Sequence, residues 1–184
     1  MKTSIQTDRL DIRRLEPRDA AAVFQYRSDP EISRFQNWEP QSVGEVESFI
    51  AGLNEIGIDT PGRWYQLGLF ERESGELAGD CGVYVQEHDP RQVEVGITLT
   101  ARFQGRGFAT EALSAVLGFL FSTLEKHRVF GSVDPRNGPS LALLERVGMR
   151  REAHFVESLW FKGAWADDVI YAMLRREYLA RTTE

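Results

Sequence analysis

The stretch Arg102-Phe103-Gln104-Gly105-Arg106-Gly107-Phe108-Ala109-Thr110 stands between a strand pattern and a helix pattern. Before it, Val93, Val95, Ile97 and Leu99 alternate with Glu94, Gly96 and Thr98, as a half-buried strand does. After it, Ala109, Ala112, Leu113, Val116, Leu117, Leu120, Phe121 and Leu124 fall on one face of a long helix. Two glycines around one residue let the backbone turn tightly and approach a ligand without Cβ interference. The helix that follows offers unpaired N–H groups and the positive end of its dipole, which together suit a phosphate. A Gly-rich turn that only makes a tight corner has the same local pattern. Walker A chemistry needs Lys-Ser/Thr after the last glycine, and Phe108-Ala109 stands there. A Rossmann loop needs a third glycine where the chain has Thr110.

Working outward, Arg9 to Leu15 alternates as a strand. Pro17 and Asp19 start a helix expected to end near Asp29-Pro30, and Ser42 with Glu45 caps a second helix. Trp64 to Phe70 and Leu77 to Val85 read as strands ahead of Val93 to Leu99. Beyond the long helix come a strand from Arg128 to Val133 and a short helix from Ser140 to Val147, stopped by Gly148. Met149 to Leu174 reads as two strands joined by Lys162-Gly163-Ala164. This order of elements is mixed α/β. With 184 residues and no repeat or linker, one domain is expected over 1–184, its core about 8–175.

The bulk composition excludes several function classes. A net charge of -6 argues against the clustered positive surface that nucleic acids or anionic membranes require. A single cysteine, Cys81, allows no intramolecular disulfide and no cysteine-based zinc site, and its setting reads as a buried strand interior. His88, His127 and His154 are too scattered to bind a metal, so none is expected. The amino-terminal run Met1 to Asp8 lacks the apolar core of a secretory signal, which makes a cytoplasmic location the expectation.

Gln104, Gly107 and Ala109 form a Gln-x-x-Gly-x-Ala pattern that resembles the acetyl-CoA pyrophosphate loop of the GNAT superfamily. The block Asn137-Gly138-Pro139-Ser140 through Glu145-Arg146-Val147-Gly148-Met149 looks like that superfamily's Asn-containing helix and its Glu-x-x-Gly-Phe/Met end. Thr7-Asp8-Arg9-Leu10, Asp29-Pro30-Glu31, Trp38-Glu39-Pro40 and Trp165 with Asp168 resemble the RimJ/RimL-type branch, whose named members acetylate ribosomal-protein amino termini. The resemblance covers nearly the whole chain. It implies a mostly antiparallel central sheet flanked by helices, and an acetyl-CoA-dependent N-acetyltransferase. The implied acceptor is a primary amine, either a protein amino terminus or a small amine such as a polyamine or an aminoglycoside-like antibiotic. An acyl-CoA-binding module without turnover is the remaining alternative. No nucleic acid, membrane or metal is implied, and oligomeric state stays open.

The resemblance also implies site residues. Backbone groups of Ile97 and Leu99 would pair with the pantetheine arm between two splayed strands. Gln104, Gly105, Arg106, Gly107, Phe108, Ala109 and Thr110 would form the pyrophosphate loop. Asn137 would bind the pantetheine arm, and Ser140 would lie near the thiol and protonate the departing thiolate; capping their own helix is the other role open to both. A backbone N–H near a bulge around Ile97 would meet the oxyanion. Glu94, on the polar face of its strand, is the candidate base, with an ion-paired or solvated strand carboxylate as its alternative. Two departures stand out. Leu143 and Leu144 occupy the neighbourhood where many GNAT enzymes place a tyrosine, and Thr100-Ala101-Arg102 lacks the acidic residue some branch members carry before the loop. Trp38, Trp64, Tyr65, Tyr84 and Trp160 are candidates to line an acceptor cleft, and Glu31, Glu39 and Asp168 to recognise a cationic acceptor, with core, rim or surface positions as the alternative for each.

Overall fold

A computed structural model describes residues 4–53 and 55–182. Met1 to Thr3, part of the amino-terminal run read above, lie outside the described residues, as do Asn54, Thr183 and Glu184. The strands are β1 (Ser4–Gln6), β2 (Leu10–Arg14), β3 (Trp64–Glu71), β4 (Leu77–Val85), β5 (Gln92–Leu99), β6 (Arg128–Val133), β7 (Arg150–Phe161) and β8 (Ala164–Leu174). The helices are α1 (Ala20–Arg27), α2 (Pro30–Ser33), α3 (Val43–Leu53), α4 (Phe108–Gly118), α5 (Gly138–Arg146) and α6 (Arg175–Thr182). No described helix is long and apolar enough to cross a membrane.

The strands form one sheet in the order β1-β2-β3-β4-β5-β6-β8-β7, antiparallel except where β5 meets β6. That parallel pair is joined through α4, the crossover a parallel connection requires. Strand alternation sorts the residues onto two faces. Leu67, Cys81, Val83, Val93, Val95 and Val129 pack with Leu113, Val116, Leu117 and Leu144 of α4 and α5. Against the other face, Val23, Tyr26, Val46 and Ile50 of α1 and α3 close over Leu15 and Phe70.

Several boundaries differ from the sequence reading, each for a local reason. The first helix stops at Arg27 because the Asp29 carboxylate accepts the Glu31 N–H at 2.9 Å and caps a separate short helix with Pro30 in its first turn. Ser42 caps α3 as expected, accepting from the Glu45 N–H at 3.2 Å, while Glu45 reaches back to the Gln41 N–H. The long helix is α-helical only to Gly118. Phe119 to Thr123 widen into a π turn, with the Leu124 N–H bonded to the Phe119 carbonyl at 3.1 Å. Strand β1 and helix α6 were not anticipated. Helix α6 is mostly polar, and Tyr178 docks it by stacking on Phe121 with ring centroids 5.2 Å apart.

Candidate active site

The hydrogen-bonded ladder between β5 and β6 runs only from Gln92–Arg128 to Glu94–Phe130. Beyond that point the strands have no pairing partner in each other, and a cleft opens. The Thr100 N–H donates to the Ala78 carbonyl at 2.9 Å, toward β4. By alternation, the backbone groups of Ile97 and Leu99 point the opposite way, into the cleft. One lone pair of the Leu99 carbonyl is already engaged by the Gln104 side-chain amide at 3.0 Å. Gln104 thereby ties the loop to the strand end. The bulge expected near Ile97 is absent: β4 and β5 pair without a shift from Gly79–Leu99 to Val85–Val93. The irregularity lies instead on the far side of β4, between its pairing with Leu69 and with Phe70.

Gly105 and Gly107 adopt φ of 69° and 82°, left-handed values that favour glycine, and Gly107 is the cap of α4. The first bond into that helix runs from the Glu111 N–H to the Gly107 carbonyl at 3.1 Å. The amides ahead of it therefore lack a helical acceptor and border a cleft of about 1110 Å³ lined by Gln104, Gly105, Gly107, Phe108, Ala109 and Thr110. Phe103 and Phe108 are buried edge-to-face beneath the loop, 5.3 Å between ring centroids. The Arg106 side chain turns away toward Glu71 and does not line the cleft.

Sequence reading missed what holds this loop. Glu111, in the first turn of α4, accepts from the Thr7 hydroxyl at 2.6 Å, the Arg9 backbone at 2.9 Å and the Arg9 guanidinium at 2.6 Å. Arg9 also donates to the Arg106 carbonyl at 3.0 Å and covers the Phe108 ring. Burial opposes ionisation of Glu111, yet the bonds from Thr7 and Arg9 hold its carboxyl below the usual range. The Thr7-Asp8-Arg9 run was the available signal, although no local pattern links it to a residue about a hundred positions away.

At its inner end the cleft meets a second cavity of about 380 Å³, and Ile97, Thr98, Asn137, Ser140 and Leu143 line both. Asn137 caps α5, its side-chain oxygen accepting the Ser140 N–H at 3.3 Å, and its amide N–H groups have no acceptor among the described residues. The Ser140 hydroxyl makes no hydrogen bond among the described residues. Trp38 and Trp64 wall the second cavity, backed by Phe49 and Tyr84 at 4.4 Å and 5.3 Å between ring centroids. Glu94 projects into it half-buried, with no hydrogen bond or ion pair among the described residues. Burial first, and the Asp168 charge second, push its carboxyl above the usual range.

The two other carboxylates that line this cavity are paired. Asp80 is buried and bonded by Tyr26, Arg27 and Gln66; Asp134 pairs with Arg136 at 2.6 Å. Asp168 accepts from the Ser132 hydroxyl at 2.7 Å. Glu39 is bonded by Lys162, and Glu31 lies on the larger cleft. Two aromatic candidates are elsewhere. Tyr65 points to the opposite sheet face, buried, with its hydroxyl accepting from Arg14 at 3.0 Å. Trp160 stands exposed on the β7–β8 hairpin against Trp165. Cys81 is buried, and burial together with Asp80 pushes its thiol up to about 12, so it is no nucleophile at neutral pH. No group of metal-ligating side chains occurs among the described residues.

A row of free amides at a helix start, followed by a strand edge with unpaired backbone groups, fits a ligand that carries a diphosphate and an amide-bearing arm. The residues present thus suit acetyl-CoA. Known proteins point the same way. An uncharacterised N-acetyltransferase of Bacillus licheniformis, p20, is 29% identical over 95% of this chain and 98% of its own length. The ribosomal protein uS5-alanine N-acetyltransferase of Escherichia coli is 28% identical over 94% of this chain and 91% of its own. The crystal structure of spermidine N-acetyltransferase from Vibrio cholerae in complex with CoA and spermine shares the fold, with a TM-score of 0.81 and 22% identity over 94% of this chain and 99% of that one. Residues 9–150 match the acetyltransferase (GNAT) domain family. The chain belongs to the GNAT acetyltransferases, enzymes that move an acetyl group from acetyl-CoA to an amine.

Proposed function

We propose that this enzyme acetylates the α-amine of a protein or peptide amino terminus, with Glu94 as base and Ser140 as acid. The observation that carries the reading is Glu94, among the described residues the one carboxylate without a hydrogen-bond or ion-pair partner that lines the cavity joining the larger cleft at Ser140. A polyamine would bring several positive charges to a pocket whose two other lining carboxylates, Asp80 and Asp134, are already paired with Arg27 and Arg136. One carboxylate suits one amine. A small amine remains the second reading, favoured by the aromatic walls Trp38 and Trp64, which suit any cation.

In this reading Glu94 takes a proton from the incoming ammonium, directly or through a water, and its raised pKa brings it nearer the operating pH. The freed nitrogen attacks the thioester carbonyl carbon and, as the carbon–nitrogen bond forms, gives up its second proton to solvent. The Ile97 N–H, which points into the cleft, donates to the carbonyl oxygen as negative charge develops there. As the carbon–sulfur bond breaks, the Ser140 hydroxyl gives its proton to the sulfur and is reprotonated from solvent. The loop amides of Gly105 to Thr110 and the Asn137 side chain hold the rest of the cofactor.

Thermal unfolding with acetyl-CoA at a hundred times its dissociation constant should show about 2.7 kcal/mol of added stability. Peptides with free and blocked amino termini, and spermidine, are then compared by thiol release and mass. Acetylation of the free terminus, lost on blocking, supports the proposal. Turnover of spermidine without peptide turnover replaces it with the small-amine reading. Acetyl-CoA binding without any turnover makes the chain a binding module.

A further inference from the structure

The floor of the acceptor cavity is bare backbone. Gly82 and Gly96 stand directly opposite each other on β4 and β5, and both line the cavity. The two glycines have different reasons to be there. A Cβ at Gly82 would lie 3.0 Å from the Trp64 ring and 3.0 Å from Gln66 Oε1, so that glycine makes room for the pocket's own wall. A Cβ at Gly96 would meet no atom within 4 Å. The backbone of Gly96 is also outside the left-handed region, so no turn demands a glycine. Within a strand, glycine costs roughly 0.5–1 kcal/mol relative to alanine. Packing gives no return for that cost; the space it leaves faces the cavity. Glu94 and Thr98 project from the same face two residues to either side, about 13 Å apart along the strand. Ile97, where the two cavities meet, is the next residue.

We propose that Gly96 is a specificity-determining residue: the space over its Cα receives the substituent on the carbon next to the reacting amine. The acceptors are then primary amines on a substituted carbon, the arrangement at a peptide terminus whose first residue bears a side chain. This inference rests on the acceptor reading above, which puts the reacting nitrogen between Glu94 and Ile97. From there the adjacent carbon lies back over Gly96, and a hydrogen or a small side chain on it occupies the gap between Glu94 and Thr98.

The test compares wild type with Gly96→Ala and Gly96→Val on peptides that differ only in their first residue, glycine, alanine or serine. A group of one or a few carbons in a fitted pocket discriminates by roughly 10–200-fold. Gly96→Val should therefore lower kcat/KM for the alanine and serine peptides by at least about tenfold, and for the glycine peptide by less than about threefold. Gly96→Ala should give the same order with smaller ratios, and it carries the test if the valine variant does not fold. An unchanged thermal shift with acetyl-CoA shows that fold and cofactor cleft are intact. An equal loss on all three peptides, or no loss, overturns the inference while the acceptor reading stands. A wild type inert toward every peptide overturns both.

Discussion

The cavity that holds Glu94 is lined by a charge pair, Arg27 and Asp80, whose removal should be costly. Arg27 and Asp80 are 5% and 1% exposed. The Asp80 carboxylate accepts from Arg27 Nε at 3.1 Å, from Gln66 Nε2 at 2.6 Å, from a second guanidinium nitrogen and from the Tyr26 hydroxyl. Arg27 also donates to Gln36 at 3.3 Å, fixing the segment that carries Trp38. Asp80→Ala strips four donors of their acceptor and strands a guanidinium in the interior. Breaking a buried pair from one side costs about 3–5 kcal/mol. At roughly 2–4 °C per kcal/mol for a chain of this size, Tm should fall by about 6–20 °C. Arg27→Met leaves a lone carboxylate, although Tyr26 and Gln66 still serve it, so its loss should be smaller. The double variant Arg27→Met/Asp80→Leu should be more stable than Asp80→Ala, because apolar replacement of both partners avoids the stranded charge. Thermal and urea unfolding of wild type, Arg27→Met, Asp80→Leu and the double variant closes the cycle. An Asp80→Ala loss below about 1 kcal/mol, the level of a surface pair, would refute the reasoning. So would losses that simply add, since contacting residues in one network should couple.

The candidate base makes a pH prediction. Its carboxyl is raised by burial and by Asp168, so kcat/KM should fall on the acid side with an apparent pKa above that of an ordinary glutamate. Asp168→Asn should move that limb to lower pH, and an unmoved limb would assign the titration to another group. Because the folded-state pKa lies above the unfolded one, ionised Glu94 costs folding free energy above the folded pKa, and the cost disappears as pH falls through it. Glu94→Gln should therefore raise stability at pH 8 while lowering kcat by about 10²–10⁴-fold; a variant both less stable and fully active would sink the assignment. Glu111→Gln should loosen the glycine loop, weakening acetyl-CoA binding measured by titration more than it lowers Tm. A change in Tm alone would make the Arg9–Glu111 contact merely structural.

What could be read without the structure was what neighbouring residues decide among themselves. The tight turn at Gly105 and Gly107, the helix start behind it, the Asn137 cap and the alternation of Val93 to Leu99 depend on backbone sterics and on period, both properties of contiguous chain. Glu94 and Gly96 could be put on one face of a strand for the same reason. What that face looks onto could not. The cavity around Glu94 draws Trp38, Trp64, Gly82, Glu94 and Ser140 from five separate segments; strand register aligns Trp64, Gly82 and Glu94, and the packing of a loop and of α5 onto the sheet adds Trp38 and Ser140. Tyr65, next to Trp64, falls on the opposite face because a strand reverses direction at every residue. Helix α6 carries too little apolar sequence to announce itself, and the Tyr178 contact with Phe121 that docks it is long-range. The Glu111 clamp on Arg9 and the charge of Asp168 on Glu94 likewise act through space, across separations that no local pattern encodes. Sequence alone determined the glycine turn ahead of α4 and most of the order of elements, because both are local; tertiary structure decided the cavity around Glu94, because it exists only where distant strands, a loop and α5 are packed together.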